Sequence, residues 1–433
     1  MRVNMPRFSV AASLSLAAFA APAYAQWLQF GGPNRNFMVQ TSDLADAWPE
    51  DGPQKLWHRR LGDGYSTILV DDGLLYTMYR IDDEEFTVAL DAKTGKTVWQ
   101  HGNPSPYTDV MMQFGPGPHS TPLVVGDRLF SVGTNVVLHC FEKKTGKVLW
   151  KHDLVAEFGA YIPAYGYANS PIAYDNLVIL PADYPRPEHY TGGLPRQKKK
   201  EGVEQEPQSL IAFDQATGEV VWKKHDFQTD YSSPILVNFR GQDQLVLLMH
   251  NEIMGVNPAG GGLLWHLPVR PVPDENIGMP LWLGDGLLFC SAAYNSGSRV
   301  IKLTRHGDHT VAEQLWYSRK LRIMHGNAVR VGDYVYGSSG DFGPCFMVCM
   351  NIRTGKRAWL ERGFAKAICL YADNKLIILD ENGQLGLAKV SPEGMEVLAR
   401  CTVAERLAWA APTLVGKTLY VRDRKHIMAL DLG

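Results

Sequence analysis

The sequence has no excess of charge of either sign and, beyond its first 25 residues, no long hydrophobic run. Lys and Arg together number 43 and Asp and Glu number 45, so the formal net charge is −2. A protein that binds nucleic acid normally carries a basic excess, and this balance argues against such a partner. No later stretch reaches the roughly 18 consecutive apolar residues of a membrane-spanning helix, so we expect no membrane span.

Cysteine is also scarce. The six cysteines include no adjacent pair and no C-x-x-C, which excludes a c-type haem attachment site and a thioredoxin-like motif. The chain has no phosphate-binding loop with its Lys, no H-E-x-x-H and no G-x-S-x-G. On these grounds we assign no catalytic residue and predict no metal site.

The first 25 residues have the pattern of a secretory signal peptide. Their only charges are two arginines, an apolar stretch runs over residues 8–20, and small residues stand at Ala23 and Ala25. We predict cleavage before Gln26 and export, to the periplasm if the host is Gram-negative. No Cys follows the cleavage site, so a lipid anchor is not expected. The alternative, a membrane anchor, would need a longer apolar stretch to span the bilayer.

A repeated pattern organises the rest of the chain. A-x-D-x-x-T-G-x-x-x-W occurs at residues 89–99 and again at 212–222. Its Asp, Thr and Gly predict a tight turn, because the carboxylate accepts backbone N–H groups and Gly tolerates a positive φ. A second hairpin signal, such as Gly126-Asp127 between apolar runs, precedes each copy, so each unit is predicted to be a four-stranded propeller blade. Looser copies bring the tryptophans that mark an outer strand to seven: Trp57, Trp99, Trp150, Trp222, Trp265, Trp316 and Trp359.

Eight such units predict an all-β fold, an eight-bladed β-propeller of four-stranded antiparallel blades that forms one domain over residues 26–433. The inner strands are expected to begin near Ser66, Ser120, Ser170, Ser232, Gly278, Gly326, Ala367 and Ala410. The last unit has only three strands, and residues 55–60 resemble an outer strand. We therefore predict that this N-terminal strand completes the C-terminal blade and removes an exposed sheet edge. Residues 181–207 are an insertion in the third blade, interpreted as a solvated loop or, alternatively, as a docking element for a partner.

Aligning the inner strands places one residue from each blade in a ring at the mouth of the central channel. The ring consists of Tyr65, His119, Ala168, Tyr231, Ile277, His325, Lys366 and Trp409. Six of these are candidate ligand-binding residues: Lys366, Trp409, His325, His119, Tyr65 and Tyr231. A lysine supplies charge and the aromatic rings supply stacking faces, which suits a small anionic aromatic ligand. The alternative is that these side chains fill the mouth through water-bridged polar contacts. The stretches 100–118 and 158–167 precede inner strands and are expected on the same rim.

The repeat at 89–99 and 212–222 resembles the tryptophan-docking motif of the eight-bladed pyrroloquinoline quinone (PQQ) propellers. The segment from Trp27 to Arg35, W-L-Q-F-G-G-P-N-R, resembles the W-x-x-F-R-G-P-x-R start of exported bacterial PQQ-like repeat proteins, with Gly31 in place of the usual Arg. The resemblance covers residues 27–433 and implies a propeller in which each such Trp packs between neighbouring blades. It says little about activity, because the motif is a structural lock.

The superfamily that this chain resembles includes quinoprotein alcohol dehydrogenases and a non-catalytic outer-membrane assembly lipoprotein. The dehydrogenases hold the quinone in the channel between a Trp and an adjacent Cys pair, near Ca2+ and with an Asp as base. This chain has neither an adjacent Cys pair nor a cytochrome domain. The sequence therefore favours a non-enzymatic binding or scaffold protein that acts through its channel rim, as a monomer with a periplasmic or envelope protein partner. The alternative is a PQQ-dependent oxidoreductase, similar to an alcohol dehydrogenase, with PQQ and calcium in the channel.

Overall fold

The computed structural model describes residues 26–433 except 107–110, 112–113, 116, 186–206, 270–275, 295, 308 and 342. Within these residues the strands pair into eight four-stranded antiparallel sheets, and a single short helix is present. The predicted eight-bladed β-propeller is therefore confirmed. The predicted signal peptide at 1–25 and residues 186–206 of the predicted insertion lie outside the described residues.

The strands follow the chain in order, four to a blade, except that the first strand belongs to the last blade. That strand is β1 (Gln54–Arg60). The first four blades consist of β2 (Leu69–Asp71), β3 (Leu74–Ile81), β4 (Glu84–Asp91), β5 (Thr97–Pro104), β6 (Leu123–Val125), β7 (Arg128–Val132), β8 (Val137–Glu142), β9 (Val148–Asp153), β10 (Ile172–Tyr174), β11 (Leu177–Pro181), β12 (Leu210–Asp214), β13 (Val220–Lys224), β14 (Ile235–Phe239), β15 (Gln242–Leu248), β16 (Glu252–Val256) and β17 (Leu263–Pro268).

The other four blades begin with β18. Their strands are β18 (Leu281–Gly284), β19 (Leu287–Ala292), β20 (Gly297–His306), β21 (His309–Ser318), β22 (Ala328–Val331), β23 (Tyr334–Ser339), β24 (Phe346–Asn351), β25 (Arg357–Glu361), β26 (Ala367–Ala372), β27 (Lys375–Asp380), β28 (Gln384–Ser391), β29 (Gly394–Thr402), β30 (Thr413–Val415), β31 (Thr418–Arg422) and β32 (His426–Asp431). The helix α1 (Leu154–Phe158) follows β9. In the part of the chain that the structure describes, no helix is long and apolar enough to cross a membrane.

The ring of blades closes through β1, which pairs antiparallel with β32. The last blade has the order β1-β32-β31-β30, so its outer strand comes from the beginning of the chain. The predicted closure is confirmed. The fully buried Arg422 at the end of β31 reinforces the seam with the first blade, because its guanidinium donates to the Met78 carbonyl in β3 at 2.7 Å.

Each outer strand carries a β-bulge beside the position of the repeated Trp. In the first blade Ala89 lies opposite Trp99 and Leu90 lies opposite Thr97, which leaves one residue of β5 unpaired. A bulge bends the strand and re-aims a side chain. The indole N–H of Trp99 donates to the Lys143 carbonyl of the next blade at 2.9 Å. Corresponding bonds to the next blade join Trp57 to Ala92, Trp150 to Gln215, Trp222 to Pro258, Trp316 to Ile352 and Trp359 to Ser391.

Trp265 is different from the other six. Its indole N–H donates to the side chain of Gln244 in its own blade, at 2.8 Å. The next blade has a long hairpin, β20–β21, in place of the short Asp-x-x-Thr-Gly turn. The ring still packs between the two blades, in a cluster with Leu288 and Ile301 of the fifth blade.

The N-terminal segment (residues 26–48) crosses the disc before the chain reaches β1. Trp27 pairs with β2 of the first blade, and Met38 pairs with β26 of the seventh blade. Between them the buried Arg35 donates to the backbone carbonyls directly before β10 and β14, at 2.6 and 2.8 Å. The segment therefore spans the channel and closes one end of it.

Candidate functional site

A cavity of about 170 Å3 lies at the centre of the propeller. This is roughly ten times the space that one water molecule needs. The cavity is lined by Phe30, Phe37, Tyr65, Thr67, Phe114, Gly115, His119, Tyr165, Ala168, Ser170, Tyr231, Ser233, Ile277, Met279, Tyr294, Met324, His325, Gly326, Asn327, Ile368, Trp409 and Ala411.

Seven of the eight residues in the ring expected from the sequence line this cavity: Tyr65, His119, Ala168, Tyr231, Ile277, His325 and Trp409. Each of them stands shortly before the inner strand of its blade, and the inner strands converge on the propeller axis. Lys366 is not part of the described lining. Its ammonium lies 3.4 Å from the Glu381 carboxylate, which balances its charge. It also lies 3.9 Å from the sulfur of Met324 and 5.9 Å from the ring centroid of Trp409, directly behind the lining.

Small polar residues beneath the ring bond the inner strands to one another. The backbone N–H of Thr67 donates to the Thr121 hydroxyl, that of Thr121 to the Ser170 hydroxyl, and that of Ser170 to the Ser233 hydroxyl, at 2.9 to 3.1 Å. These bonds run around the channel and cross the three boundaries between the first four blades. Because these hydroxyl groups accept hydrogen bonds from the neighbouring blade, they stabilise the wall of the cavity.

Four aromatic rings form a continuous column along the cavity wall. His119 stacks on Tyr65 with ring centroids 5.3 Å apart and an angle of 7° between the ring planes. Tyr65 lies 5.5 Å from Trp409, and Trp409 stacks on His325 at 4.3 Å and 17°. Stacked and tilted rings at these distances attract one another, so the column is preorganised.

The titratable groups of the column are uncharged at neutral pH. Burial lowers the pKa of His119 to about 4. Burial, with smaller contributions from nearby Lys366 and His119, lowers the pKa of His325 to about 3. Burial also raises the pKa of Tyr65 to about 12. The cavity is therefore electrically neutral on this wall.

The charged groups around the mouth are paired with each other. Arg322 lies 3.0 Å from the Asp341 carboxylate, and Arg424 donates to the Asp63 carboxylate. None of the described residues that line the cavity is Asp, Glu, Lys or Arg. The cavity thus differs from the positively charged funnel that an anionic ligand would favour.

A group of metal-ligand type lies elsewhere, in the last blade. One ligand atom from each of Glu405, Asp423 and His426 falls within 4.8 Å of the others. The Asp423 carboxylate also accepts the backbone N–H groups of Glu405, Lys425 and His426, at 2.7 to 3.0 Å. These bonds shape the turn between β31 and β32, which accounts for the grouping without an ion.

Comparison with known proteins agrees with the geometry of the blades. Residues 83–361 match the family described as outer membrane protein assembly factor BamB, whose repeats are of the PQQ type. The chain belongs to this family of PQQ-like propellers.

Solved propellers share this fold at low sequence identity. BamB from Moraxella catarrhalis is 14% identical, with a TM-score of 0.59 over 88% of this chain and 99% of that chain. The quinohemoprotein alcohol dehydrogenase of Comamonas testosteroni is 13% identical, with a TM-score of 0.63 over 94% of this chain and 81% of that chain. Among curated proteins, the tetrathionate hydrolase of Acidithiobacillus ferrooxidans is 21% identical over 414 residues, which cover 84% of this chain and 72% of the hydrolase. Relatives with such different activities show the fold and leave the activity open.

The cavity of this PQQ-like propeller does not fit PQQ with calcium. PQQ is a quinone with three carboxylates, which need cationic or N–H partners, and Ca2+ takes oxygen ligands that usually include carboxylates. The described lining offers no carboxylate and no cationic side chain. The two histidines are neutral and stacked in the aromatic column. The donor set therefore argues against this cofactor.

Several lining residues were not identified from the sequence. Phe114 packs its edge on Trp409 at 5.6 Å, and Phe30 meets Phe37 edge to face at 5.5 Å on the closed end of the channel. Phe30 belongs to the W-x-x-F motif that begins at Trp27, and Phe114 and Tyr165 lie in the two stretches expected on the rim. Their aromatic character was the available signal, but which of them reach the cavity depends on loop conformation.

Proposed function

We propose that this PQQ-like propeller is a non-enzymatic binding protein that takes its ligand or partner at the rim of the central channel. One observation carries the proposal: eight Phe, Tyr and Trp side chains line the cavity, whereas no charged residue belongs to the described lining. Such a surface binds by shape and apolar contact. It offers no group suited to acid–base work at neutral pH, because both histidines titrate near pH 3 to 4.

We further propose that the protein acts in the periplasm and that it meets an envelope protein there. The signal-peptide pattern in residues 1–25 supports export. The family description, outer membrane protein assembly factor, supports a protein partner. The rim loops around Phe114 and Tyr165 present the surface for such a contact, since propellers carry specificity in their loops.

The alternative, a PQQ-dependent oxidoreductase, is tested directly. The chain from residue 26 is mixed with PQQ and Ca2+ and examined by titration calorimetry and by a dye-linked alcohol oxidation assay. We expect no saturable heat and no turnover above that of PQQ alone. An authentic quinoprotein alcohol dehydrogenase, reconstituted in parallel, shows that the assay works.

A positive result has a defined meaning. Turnover that needs PQQ and disappears in Trp409→Ala would overturn the non-enzymatic proposal. PQQ binding without turnover, abolished in Lys366→Gln, would show that Lys366 leaves Glu381 to hold an anion. Tetrathionate is also an anion, and we expect the same preparation to leave it intact, since the described lining has no cationic side chain.

A further inference from the structure

The lack of charged residues in the described lining says more about the ligand's charge than membership of the family does. Lys366 and Arg424 are held in ion pairs with Glu381 and Asp63. Arg35 has no ion-pair partner among the described residues, but its guanidinium is already bonded to the Gln29 side chain and to the Pro171 and Pro234 carbonyls. A charged ligand would therefore lose its hydration without gaining a counter-charge, which costs several kcal/mol. A neutral ligand avoids this cost.

The walls restrict its shape. The column from His119 to His325 forms one side, and the pair Phe30 and Phe37 closes the floor. Met279 and Met324 also line the cavity, with polarisable thioethers. Aromatic and thioether walls favour a flat apolar ring, which they contact by face and edge.

His325 is a polar group of the wall without a hydrogen-bond partner among the described residues. The Tyr65 hydroxyl donates to the Phe114 carbonyl, and the two polar side-chain atoms of Asn327 bond to the backbone of Cys369 at 2.8 and 2.9 Å. His325 stacks on Trp409 but has no hydrogen-bond partner among the described residues. Its neutral imidazole offers one N–H donor and one acceptor nitrogen. His325 is partly buried and faces the cavity, where a ligand or water can bond to it.

We infer that the cavity binds an uncharged, planar aromatic molecule that carries a hydroxyl or carbonyl group hydrogen-bonded to His325. This inference rests on the proposed binding function and names the ligand class for that site. It departs from the anionic aromatic ligand that the sequence suggested, because Lys366 is paired with Glu381 and lies outside the described lining. The closed floor leaves the rim side as the route of entry.

Four naphthalene compounds of matched shape test the inference by titration calorimetry on the chain from residue 26. They are naphthalene, 2-naphthol, 2-naphthalenesulfonate and the 2-naphthyltrimethylammonium cation. We expect saturable binding of 2-naphthol and weaker binding of naphthalene, with no binding of the two ions. Tighter binding of the sulfonate than of 2-naphthol would overturn the neutral-ligand inference, and tighter binding of the ammonium cation would do the same.

The role of His325 is tested with His325→Phe, which keeps a ring stacked on Trp409 and removes the hydrogen bond. We expect the affinity for 2-naphthol to fall roughly 3- to 10-fold, the size of one hydrogen bond, while that for naphthalene is unchanged. Equal losses for both compounds would overturn the assigned role of His325. His306→Phe, at the exposed end of β20 and outside the described lining, is the matched control and should keep the affinity for 2-naphthol.

Failure of this inference can be told apart from failure of the proposed function. Absence of 2-naphthol binding, together with no PQQ-dependent turnover, overturns the ligand class and leaves a non-enzymatic partner-binding propeller. PQQ-dependent turnover overturns the proposed function itself. Saturable 2-naphthol binding that is unaffected by Trp409→Leu would place the site outside the cavity and overturn the inference as well.

Discussion

At the scale of single residues, burial decides the chemistry of the cavity. His119 and His325 stand among aromatic rings that offer no solvation to an imidazolium ion, and their pKa values fall accordingly to about 4 and about 3. The neutral form is the one that stacks on Tyr65 and Trp409. Neither histidine gains or loses a proton near neutral pH, and their nitrogens act as hydrogen-bonding groups.

The depressed pKa of His325 predicts a contribution to the pH dependence of stability. In the unfolded chain a histidine has a pKa of about 6.5, so below that pH the unfolded state takes up a proton that the folded state excludes. The stability that His325 contributes is present above pH 6.5 and is lost as the pH falls toward about 3. By pH 4 the loss amounts to a few kcal/mol.

The measurement is urea unfolding of the wild type and of His325→Phe between pH 4 and pH 7. The free energy of unfolding should fall more steeply with acid in the wild type than in the variant, whatever the difference at pH 7. Parallel curves for the two proteins would show that the imidazole is protonated in the folded state with nearly its usual pKa.

At the scale of the element, the turn between the third and fourth strands of one blade meets the Trp of the previous blade. Gly146 has a φ of +73°, and a Cβ atom there would lie 2.4 Å from Cε3 of Trp99. Two features therefore require glycine at this position: the left-handed backbone conformation and the close approach of the indole ring. Gly126, in another turn of the same blade, has a φ of +55° and nothing within 4 Å of its Cβ position.

These two glycines make a matched pair for a stability measurement. Gly126→Ala should cost about 1 kcal/mol, because only the left-handed backbone is strained. Gly146→Ala should cost about 1–3 kcal/mol more, because Trp99 has to move out of its contact. Chemical denaturation of both variants compares the losses, and equal losses would mean that the Trp99 contact contributes little to blade packing.

At the scale of the whole molecule, the N-terminal part of the chain stabilises the ring of blades in two ways. β1 completes the last blade. The N-terminal segment pairs with the first and seventh blades and bonds through Arg35 to the third and fourth blades across the channel. Arg35 is central to the second of these, since burial lowers the pKa of its guanidinium only to about 9 and it remains a charged donor at neutral pH. Its bonds join parts of the chain 136 and 199 residues away.

Arg35→Met should lower the free energy of unfolding by about 2–4 kcal/mol, because buried carbonyls lose their donor. Arg60→Met, at the exposed end of β1, is the control and should cost less than about 0.5 kcal/mol. Thermal and urea unfolding compare the two variants. A similar small effect at both positions would show that the N-terminal segment lies on the propeller without stabilising it.

The sequence alone determined the blades and their closure. Strand alternation, the Asp-x-x-Thr-Gly turn and the spacing of Trp99 and Trp222 are local signals, and they hold because every blade repeats the same short-range geometry. The ring residues Tyr65, His119 and Trp409 followed from register, which places equivalent residues of each blade at the same radius and height.

Only the tertiary structure decided what the cavity is like. No local pattern shows that Lys366 pairs with Glu381, that the chain around Arg35 crosses the channel, or that the Trp265 indole bonds within its own blade. These contacts join distant parts of the chain, so they depend on which surfaces the closed ring brings together. The charge of a cavity depends on neighbouring side chains from several blades. The sequence showed Lys366 and predicted an anionic ligand, whereas the pairing of Lys366 with Glu381 favours a neutral one.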